Sequence, residues 1–375
     1  KLDLVYVSHI DEDHIAGILE LVNNLLAWRV HDFQVGQGNA GFKKPGAPRP
    51  PEIGGIWHNA FGTLLKDNAG PVEDLLAQSS AVLSLATGPL SLLAQPQREL
   101  AASVKQAIQL SQRIAASQLN IPLNAAFAGH LAVVRSPAGA DAKLGGMNVS
   151  VIGPFASDIA NLRDEWNAWL RNNKAAVRTL LAKARADAER LGIDSATAPL
   201  SELALTSAGL GDRTKVTTPN LASLMLLVEE GKKSVLLTGD GHADDILEGL
   251  KHHGQLDGNR TLHVDVLKVQ HHGSEHNMTE EFADHVSANH YLFCGNGKHE
   301  NPDLRVVELI CQARLRRQDG KHFKLWFNAS TAVAPAGKPR QHMRDLEMLV
   351  SRLQAKAGGL MNATFLSGPA FGLTV

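Results

Sequence analysis

Three short apolar segments of this sequence each end in a turn that carries aspartate or histidine. Residues 2–7 precede a turn over residues 8–14, residues 236–238 precede Asp240, and residues 266–269 precede His271. Short apolar runs bounded by turn residues are typical of buried strands, and open α/β sheets bind ligands at the carboxyl ends of their strands. The pattern predicts an α/β fold whose functional groups gather at one edge of a sheet.

Strand and helix patterns alternate along most of the sequence. Strands are predicted over 148–152, 223–228, 234–238, 264–269, 291–294 and 323–327, and helices over 16–26 and 302–314. Helical spacing also marks 73–94, 98–119 and 158–191, after a loop rich in proline and glycine over 34–55. We therefore predict one domain built from residues 1–36 and 211–375, interrupted by a mainly helical insertion over residues 37–210.

The composition excludes several classes of protein. Lys and Arg number 37 against 38 Asp and Glu, so binding to a polyanion would need local basic patches. Two cysteines cannot build a disulfide framework. No apolar run approaches the roughly 20 residues that a membrane-spanning helix needs. We expect a cytoplasmic protein with no membrane partner.

The turn over residues 8–14 is the densest group of metal-ligand side chains in the sequence. It contains His9, Asp11, Asp13 and His14. On a turn between a strand and a helix these side chains can converge on one point, and imidazole with carboxylate suits zinc, manganese or iron. The alternative is a solvated acidic turn in which Asp13 caps the following helix.

Asp240 and His271 stand at the ends of two further predicted strands. Each signal is weak alone, because Gly-Asp is a common turn and a His-His pair, such as residues 252–253, is often surface decoration. The apolar strand before each residue favours a functional role, and Gly273 lets the backbone approach a neighbour closely.

Taken in order, these motifs resemble the metallo-β-lactamase superfamily, and in particular the hydrolase domain of ComEC-type competence proteins and its soluble relatives. The resemblance rests on residues 8–17, with Ala16 in place of the first of two family glycines, and on residues 236–240 and 267–274. Residues 219–224 also look like the family's Asn-x-x-Ser-Leu segment, and residues 297–302 like its late Gly-His-Pro-x-Pro stretch. The resemblance covers about residues 1–30 and 215–310 and leaves the insertion unmatched.

The resemblance implies an αββα sandwich, two sheets with helices outside, and a metal centre along one edge. It implies one or two divalent ions held by six residues: His9 and Asp11 on the first ion, Asp13, His14 and His271 on the second, and Asp240 between them. Asp11 stands where most of the superfamily has histidine, which makes manganese or magnesium as plausible as zinc. The family's third histidine for the first ion has no clear counterpart. His130 is the candidate, with an ordinary loop histidine as the alternative.

The function that the resemblance implies is hydrolysis of a phosphodiester by metal-activated water, in the first instance by a nuclease acting on DNA. Asp13 would receive or steer the proton, and His299 would contact the phosphate or protonate the leaving oxygen, or else cap the helix that begins near residue 302. Two basic runs are candidate DNA contacts or, alternatively, solvated faces. The first contains Arg314, Arg316, Arg317, Lys321 and Lys324, and the second contains Lys338, Arg340, His342 and Arg344.

Two other functions stay open at the level of sequence. One is hydrolysis of a small phosphodiester or cyclic nucleotide. The other belongs to a different class, a regulatory or scaffold subunit that keeps the fold and binds a protein partner, or a second copy of itself, through residues 37–210.

The sequence opens directly on its first predicted strand, at Lys1 rather than at a methionine. In the family that the motifs resemble a hairpin precedes this strand, and a bare strand edge is an aggregation hazard. We therefore expect roughly 30–60 further residues before Lys1, one or two hairpins by the usual strand and loop lengths.

Overall fold

The computed structural model describes residues 1–9, 11–59, 106–107, 109–160, 223–258, 260–368, 370 and 372–374. The chain forms two compact units, one of Lys1–Ala132 with Ser157–Ala222 and one of Val133–Ala156 with Ser223–Val375. The predicted helix over 73–94 and most of that over 158–191 lie outside the described residues. Of the predicted helix over 98–119 the structure describes 106–107 and 109–119, which are helical up to residue 114. The mainly helical insertion therefore stays a prediction.

The first unit contains a short parallel strand pair and one long helix. Strand β1 (Val5–Tyr6) pairs with β2 (Ile56–Trp57), and helix α1 (Glu12–Gly36) lies between them in the chain. Residues 37–55 form the predicted loop, apart from one isolated bridge at Ile53. The predicted strand over 2–7 is reduced to its central residues.

Helix α1 begins earlier than the hydrophobic spacing predicted, and this corrects the interpretation of the first motif. Asp11 occupies the N-cap position without a side-chain capping bond, and Glu12 and Asp13 lie in the first turn. Carboxylates are favourable there because the helix dipole is positive at that end. Asp13 and His14 are therefore helical, and the prediction that all four ligand residues lie on a turn is wrong. The prediction of Asp13 as the N-cap is also wrong.

The second unit is built on a mixed sheet. Its strands are β3 (Ala142–Leu144), β4 (Met147–Gly153), β5 (Met225–Glu230), β6 (Lys233–Leu237), β7 (Leu262–Lys268), β8 (Val286–Phe293), β9 (Phe323–Phe327) and β10 (Met361–Phe365). Its helices are α2 (Ala243–His252), α3 (Glu280–His285), α4 (Leu304–Arg316) and α5 (Lys338–Lys356). The sequence patterns predicted β4 to β9 and α4, but not α2, α3, α5, β3 or β10.

The topology of this sheet brings strand ends together. The strand order is β10-β9-β8-β7-β6-β5-β4-β3, parallel from β10 to β6 and antiparallel from β6 to β3. Each pair of consecutive parallel strands is joined by one of the helices α2 to α5. The carboxyl ends of β6, β7 and β8 therefore lie at one edge, which is where Asp240 and His271 follow. The predicted α/β class is confirmed.

The core of the second unit joins the helices to the sheet. Buried side chains of α2 to α5 and of strands β4 to β10 form one apolar cluster. In α2, a Cβ atom at Gly249 would overlap the carbonyl of Ile152, so the glycine allows this helix to lie directly on β4. Among the described residues, no helix combines the length and apolar character that a bilayer crossing requires.

Candidate metal centre

In the first unit, one serine orients two histidines. The Ser8 hydroxyl lies 3.2 Å from His9 Nδ1 and 2.9 Å from His14 Nδ1. With the Nδ1 atoms held there, His9 Nε2 faces Asp11 Oδ2 at 3.4 Å and His14 Nε2 faces Asp13 Oδ2 at 3.7 Å. Hydrogen bonds to one ring nitrogen commonly fix the orientation of a histidine ligand.

These side chains have the chemistry of a metal site. The two imidazole rings are 4.1 Å apart between centroids, and ligand atoms of His9 and His14 lie within 4.8 Å of each other. His9 is buried, whereas the side chains of Asp11 and Asp13 are 38% and 61% exposed. His9 and His14 can hold a metal ion, with the two carboxylates at the solvent side of the rings.

His58, immediately after β2, is a further histidine of this unit. Its side chain is 0% exposed, and neither ring nitrogen has a hydrogen-bond partner among the described residues. Burial, together with a smaller contribution from the charge of His9, lowers the pKa of His58 to about 4. The ring is therefore neutral at pH 7.

The buried neutral ring of His58 predicts a defined acid sensitivity. An unfolded chain protonates this histidine below pH 6.5, but the folded unit does so only near pH 4, so stability is lost as the pH falls through that window. In metal-free protein, the loss between pH 7 and pH 4 should be about 3 kcal/mol greater in wild type than in His58→Leu. Urea unfolding at both pH values measures it. Equal losses in the two proteins would contradict the buried neutral state.

In the second unit, Asp240 is buried at the carboxyl edge of the sheet and held from several sides. Lys268 Nζ lies 3.2 Å from Asp240 Oδ1 and donates to the Gly239 carbonyl at 2.6 Å. The Asp240 amide donates to Ser223 Oγ at 3.1 Å, and Asn277 Nδ2 donates to the Asp240 carbonyl at 3.0 Å. The strand ends thus fix the carboxylate, as the Gly-Asp motif predicted.

Two histidines, not one, face this carboxylate. His271 Nε2 lies 3.9 Å and His272 Nε2 3.4 Å from Asp240 Oδ2. His271 Nδ1 lies 2.6 Å from Asn277 Oδ1, and His272 Nδ1 lies 3.0 Å from the Cys294 carbonyl. Both partner atoms are acceptors, because the amide nitrogen of Asn277 already donates elsewhere, so each Nδ1 carries the proton. In this tautomer the Nε2 atom of each ring is the one available to a metal ion, and both Nε2 atoms lie on the side of the Asp240 carboxylate.

The side chains at this edge are of the types that bind divalent ions. A carboxylate and two imidazoles are common ligands of zinc, manganese and iron, and the hydrogen bonds at Nδ1 are those that usually support metal-bound histidines. The backbone is bent to present the rings, since His271 and His272 have φ of 45° and 57°. Gly273 completes the bend, where a Cβ would lie 2.9 Å from the Phe293 ring. The sequence analysis identified His271 as a candidate ligand but not His272. The adjacent pair of histidines was the signal that could have pointed to His272.

The remaining predicted residues, His130 and His299, are both exposed. The His130 amide donates to the Phe127 carbonyl at 3.0 Å, and the His130 carbonyl accepts from Asn124 at 2.9 Å. His299 is exposed on a 3₁₀ turn, Lys298–Glu300, that follows β8. It precedes α4 but does not cap that helix, because Asp303 occupies the N-cap position. Its contact with phosphate stays a prediction.

The two basic runs differ in their surroundings. In the first run, Arg314 is buried and bonds Asp319, and Arg316 and Arg317 bond the carboxylate and carbonyl of Asp284 at 2.7 and 2.6 Å. In the second run, Lys338 and Arg344 are exposed. The second run also adjoins the His299 turn, since His342 Nε2 lies 2.9 Å from the Pro302 carbonyl.

Comparisons with protein-family models, with curated proteins and with solved structures found no match to this chain. The geometry of the two ligand groups, one in each unit, therefore carries the functional argument together with the order of the motifs. Sequence reasoning missed His58, His272 and the supporting roles of Ser8, Lys268 and Asn277.

Proposed function

We propose that this chain is a metal-dependent phosphodiesterase of the metallo-β-lactamase type, with the αββα sandwich of that superfamily, and that its substrate is DNA. The observation that carries the proposal is the buried carboxylate of Asp240 facing the Nε2 atoms of His271 and His272. These residue types commonly bind divalent cations, and the carboxyl edge of the sheet in an α/β fold is the usual place for a site.

The proposal involves one or two divalent ions. The residues that would hold metal are His9, Asp11, Asp13 and His14 in the first unit, and Asp240 and His271, with His272 added, in the second unit. When bound, a divalent ion would supply Lewis-acid polarisation of a phosphoryl oxygen and a lowered pKa for water.

The protein's own groups would position the ligands and move the proton. Ser8 holds the rings of His9 and His14 by their Nδ1 atoms, which leaves each Nε2 for ligation. Lys268 fixes one carboxylate oxygen of Asp240 and leaves the other facing the histidines. Asp13 is the more exposed of the two carboxylates in the first group, which suits a group that passes a proton to solvent.

The substrate assignment to DNA is supported by the second basic run. Its exposed members lie on the first turns of α5, next to the turn that carries His299. A run that adjoins the carboxyl edge can bind the phosphates that flank a scissile bond. In the first run, two of the five cations are paired with carboxylates, Arg314 with Asp319 and Arg316 with Asp284.

Chelator-treated protein should cleave plasmid or single-stranded DNA after addition of manganese, zinc or magnesium, tested in parallel. Replacing both Lys338 and Arg344 by glutamine should reduce the slope of log KM against log salt concentration by about 2, because two phosphate contacts are lost. Lys251→Gln, on an exposed residue in the last turn of α2 at the opposite edge, should leave that slope unchanged.

A small chromogenic phosphodiester, bis(4-nitrophenyl) phosphate, separates the substrate classes. The double variant should hydrolyse it at the wild-type rate, since the substrate has no flanking phosphates. Cleavage of this compound without cleavage of DNA would favour the small-phosphodiester alternative. Absence of any hydrolysis with all three ions would refute the enzyme and favour the scaffold alternative.

A further inference from the structure

The second unit contains a polar pocket on the face of its sheet that is turned away from the apolar cluster. The pocket has a volume of about 280 Å³, and residues of β6 to β10 line it. Sites for small molecules usually measure about 300–1,000 Å³. The volume therefore suits a compact ligand and is too small for a segment of nucleic acid or a folded partner.

Three of the lining residues form a row across neighbouring strands. His290 of β8 pairs with Lys324 of β9, and Lys324 pairs with Asn362 of β10, in parallel register. The residue that follows each of them packs into or against the apolar cluster. Because side chains alternate along a strand, all three lie on the opposite face. Neighbouring strands are about 4.8 Å apart, so the row spans about 10 Å and one small ligand can contact all three side chains.

The row carries a positive charge that is available to an anion. Lys324 is half-buried, forms no ion pair with a described carboxylate, and has its Nζ 3.7 Å from the centroid of the Trp326 ring. Asp265 is the one carboxylate among the described residues that line the pocket. It is already paired, because Lys233 Nζ lies 3.3 Å from Asp265 Oδ1 and the Ser234 amide donates to Oδ2 at 3.0 Å. The lining therefore favours a negatively charged ligand.

His290 supplies a neutral donor beside this charge. Trp326 Nε1, which can only donate, bonds His290 Nδ1 at 3.1 Å, so this ring nitrogen carries the lone pair. Burial, together with a smaller contribution from the charge of Lys324, lowers the pKa of His290, so the ring is neutral at pH 7. The proton of the neutral ring is then on Nε2, which bonds no protein group among the described residues and is available to a ligand in the pocket.

We propose that this pocket binds the phosphate group of a small molecule, with Lys324 Nζ and His290 Nε2 as donors to its oxygens and the Asn362 amide beside them. A phosphate is favoured over a carboxylate because it presents three strong acceptor oxygens on one group, which matches three polar side chains in a row. A phosphate monoester and the free phosphate ion share this chemistry.

This pocket is separate from the Asp240 group. Lys324 is the second residue of β9, so about 10 Å of strand lies between it and the carboxyl edge of the sheet. The assignment needs no metal ion and goes beyond the proposed function. It gives Lys324, which the sequence indicated as a candidate DNA contact, a small ligand instead.

Calorimetric titration of the full chain with ribose 5-phosphate, inorganic phosphate, ribose and acetate tests the assignment. The protein is the Asp240→Asn variant after treatment with a chelator, so that phosphate bound to a metal ion cannot contribute. A phosphate probe should bind, and ribose and acetate should bind at least about tenfold more weakly, because they lack the charged acceptor group or its third oxygen. Tighter binding of ribose 5-phosphate than of inorganic phosphate would assign the pocket to a monoester, and the reverse order would assign it to the free ion. Equal binding of acetate, or binding of none of the four, would overturn the assignment and leave the proposed function standing, since cleavage is not measured.

Variants of the row identify the residues that bind. Lys324→Gln should weaken binding of the tighter phosphate probe by about tenfold or more, the effect of one hydrogen bond to a charged group. Lys324→Arg keeps the charge and should retain most of the affinity. His290→Asn, whose Oδ1 can still accept from Trp326 Nε1, loses the donor at Nε2 and should weaken binding by about three- to tenfold. Lys356→Gln, at an exposed lysine in the last turn of α5, is the matched control and should bind as the unchanged chain does.

Trp326 provides a second readout of the same binding event. A phosphate that draws Lys324 Nζ away from the Trp326 ring should change the fluorescence of this residue. The chain has five tryptophans, so the change is assigned by Trp326→Phe, which should lose it while calorimetry still detects binding. Equal affinities of Lys324→Gln and Lys356→Gln, with the same fluorescence response, would show that the row does not bind the phosphate. If Lys324→Gln does not fold, His290→Asn is decided by the same two readouts.

Discussion

Replacing Asp240 by asparagine should lower kcat/KM for phosphodiester cleavage by at least about a thousandfold while the second unit stays folded. The amide keeps the shape of the side chain but removes the negative charge that His271 Nε2 and His272 Nε2 face. Metal-ion catalysis contributes several kcal/mol of charge stabilisation, and each 1.36 kcal/mol is a factor of ten. Steady-state kinetics and circular dichroism on the same preparation separate loss of activity from loss of fold.

Asp265→Asn is the matched control for this variant. Asp265 is also a mostly buried aspartate of the same unit with a lysine partner, and its carboxylate bonds Lys233 and the Ser234 amide. No predicted ligand contacts it among the described residues. The control should lose stability but keep its activity within about threefold, since surface-type ion pairs are worth about 1 kcal/mol or less. Activity of Asp240→Asn comparable to that of this control would contradict the assignment of Asp240 as a ligand.

Replacing Asp13 and His14 together, by asparagine and glutamine, should abolish cleavage to a similar degree and reduce the metal bound per chain. The double change removes one imidazole from the pair that Ser8 orients and the carboxylate nearest to it. Both residues lie in the first turn of α1, so the helix itself should persist, with a loss on the order of 1 kcal/mol for the missing charge near its N-terminus.

The same helix offers an internal control for the double variant. His31 and Asp32 form an equivalent neighbouring pair, with ring nitrogen and carboxylate oxygen 3.4 Å apart, near the other end of α1. His31→Gln with Asp32→Asn removes the same chemical groups from the same element. Activity and metal content should be unchanged in that protein. Equal losses in the two double variants would show that the effect comes from the helix and not from the ligands.

The sequence predicted the second unit better than the first, for a physical reason. Strands β4 to β9 are apolar runs that end at turn residues, and their parallel order follows from the helices between them. The position of Asp240 at a strand end can therefore be predicted from the apolar residues Leu236 and Leu237 before it and from the adjacent Gly239. His272 was missed because a His-His doublet does not reveal which ring turns inward, which depends on left-handed backbone angles at both residues.

In the first unit the positions of the candidate site residues depend on contacts between segments that are distant in sequence. The predicted start of α1 is too late because the hydrophobic spacing begins at Ile18, whereas the helix begins with the acidic residues that its dipole favours. His58 follows a strand of only two residues, too short for any periodic pattern. The surroundings of His58 depend on the hydrogen bonds of Asn59 and Asn124, which are distant from one another in sequence.

The central claim is that this chain binds a divalent metal through the histidine and aspartate groups of its strand ends. Elemental analysis of the full chain, dialysed against Zn²⁺ or Mn²⁺ and then against metal-free buffer, tests it most directly when combined with thermal unfolding. The account predicts at least one equivalent per chain and an unfolding temperature raised by several degrees, since an ion at about 100 times its Kd stabilises by about 2.7 kcal/mol. It predicts that Asp240→Asn and the Asp13–His14 double variant lose most of both effects. Wild-type protein that retains neither ion and shows no thermal gain with either would contradict it.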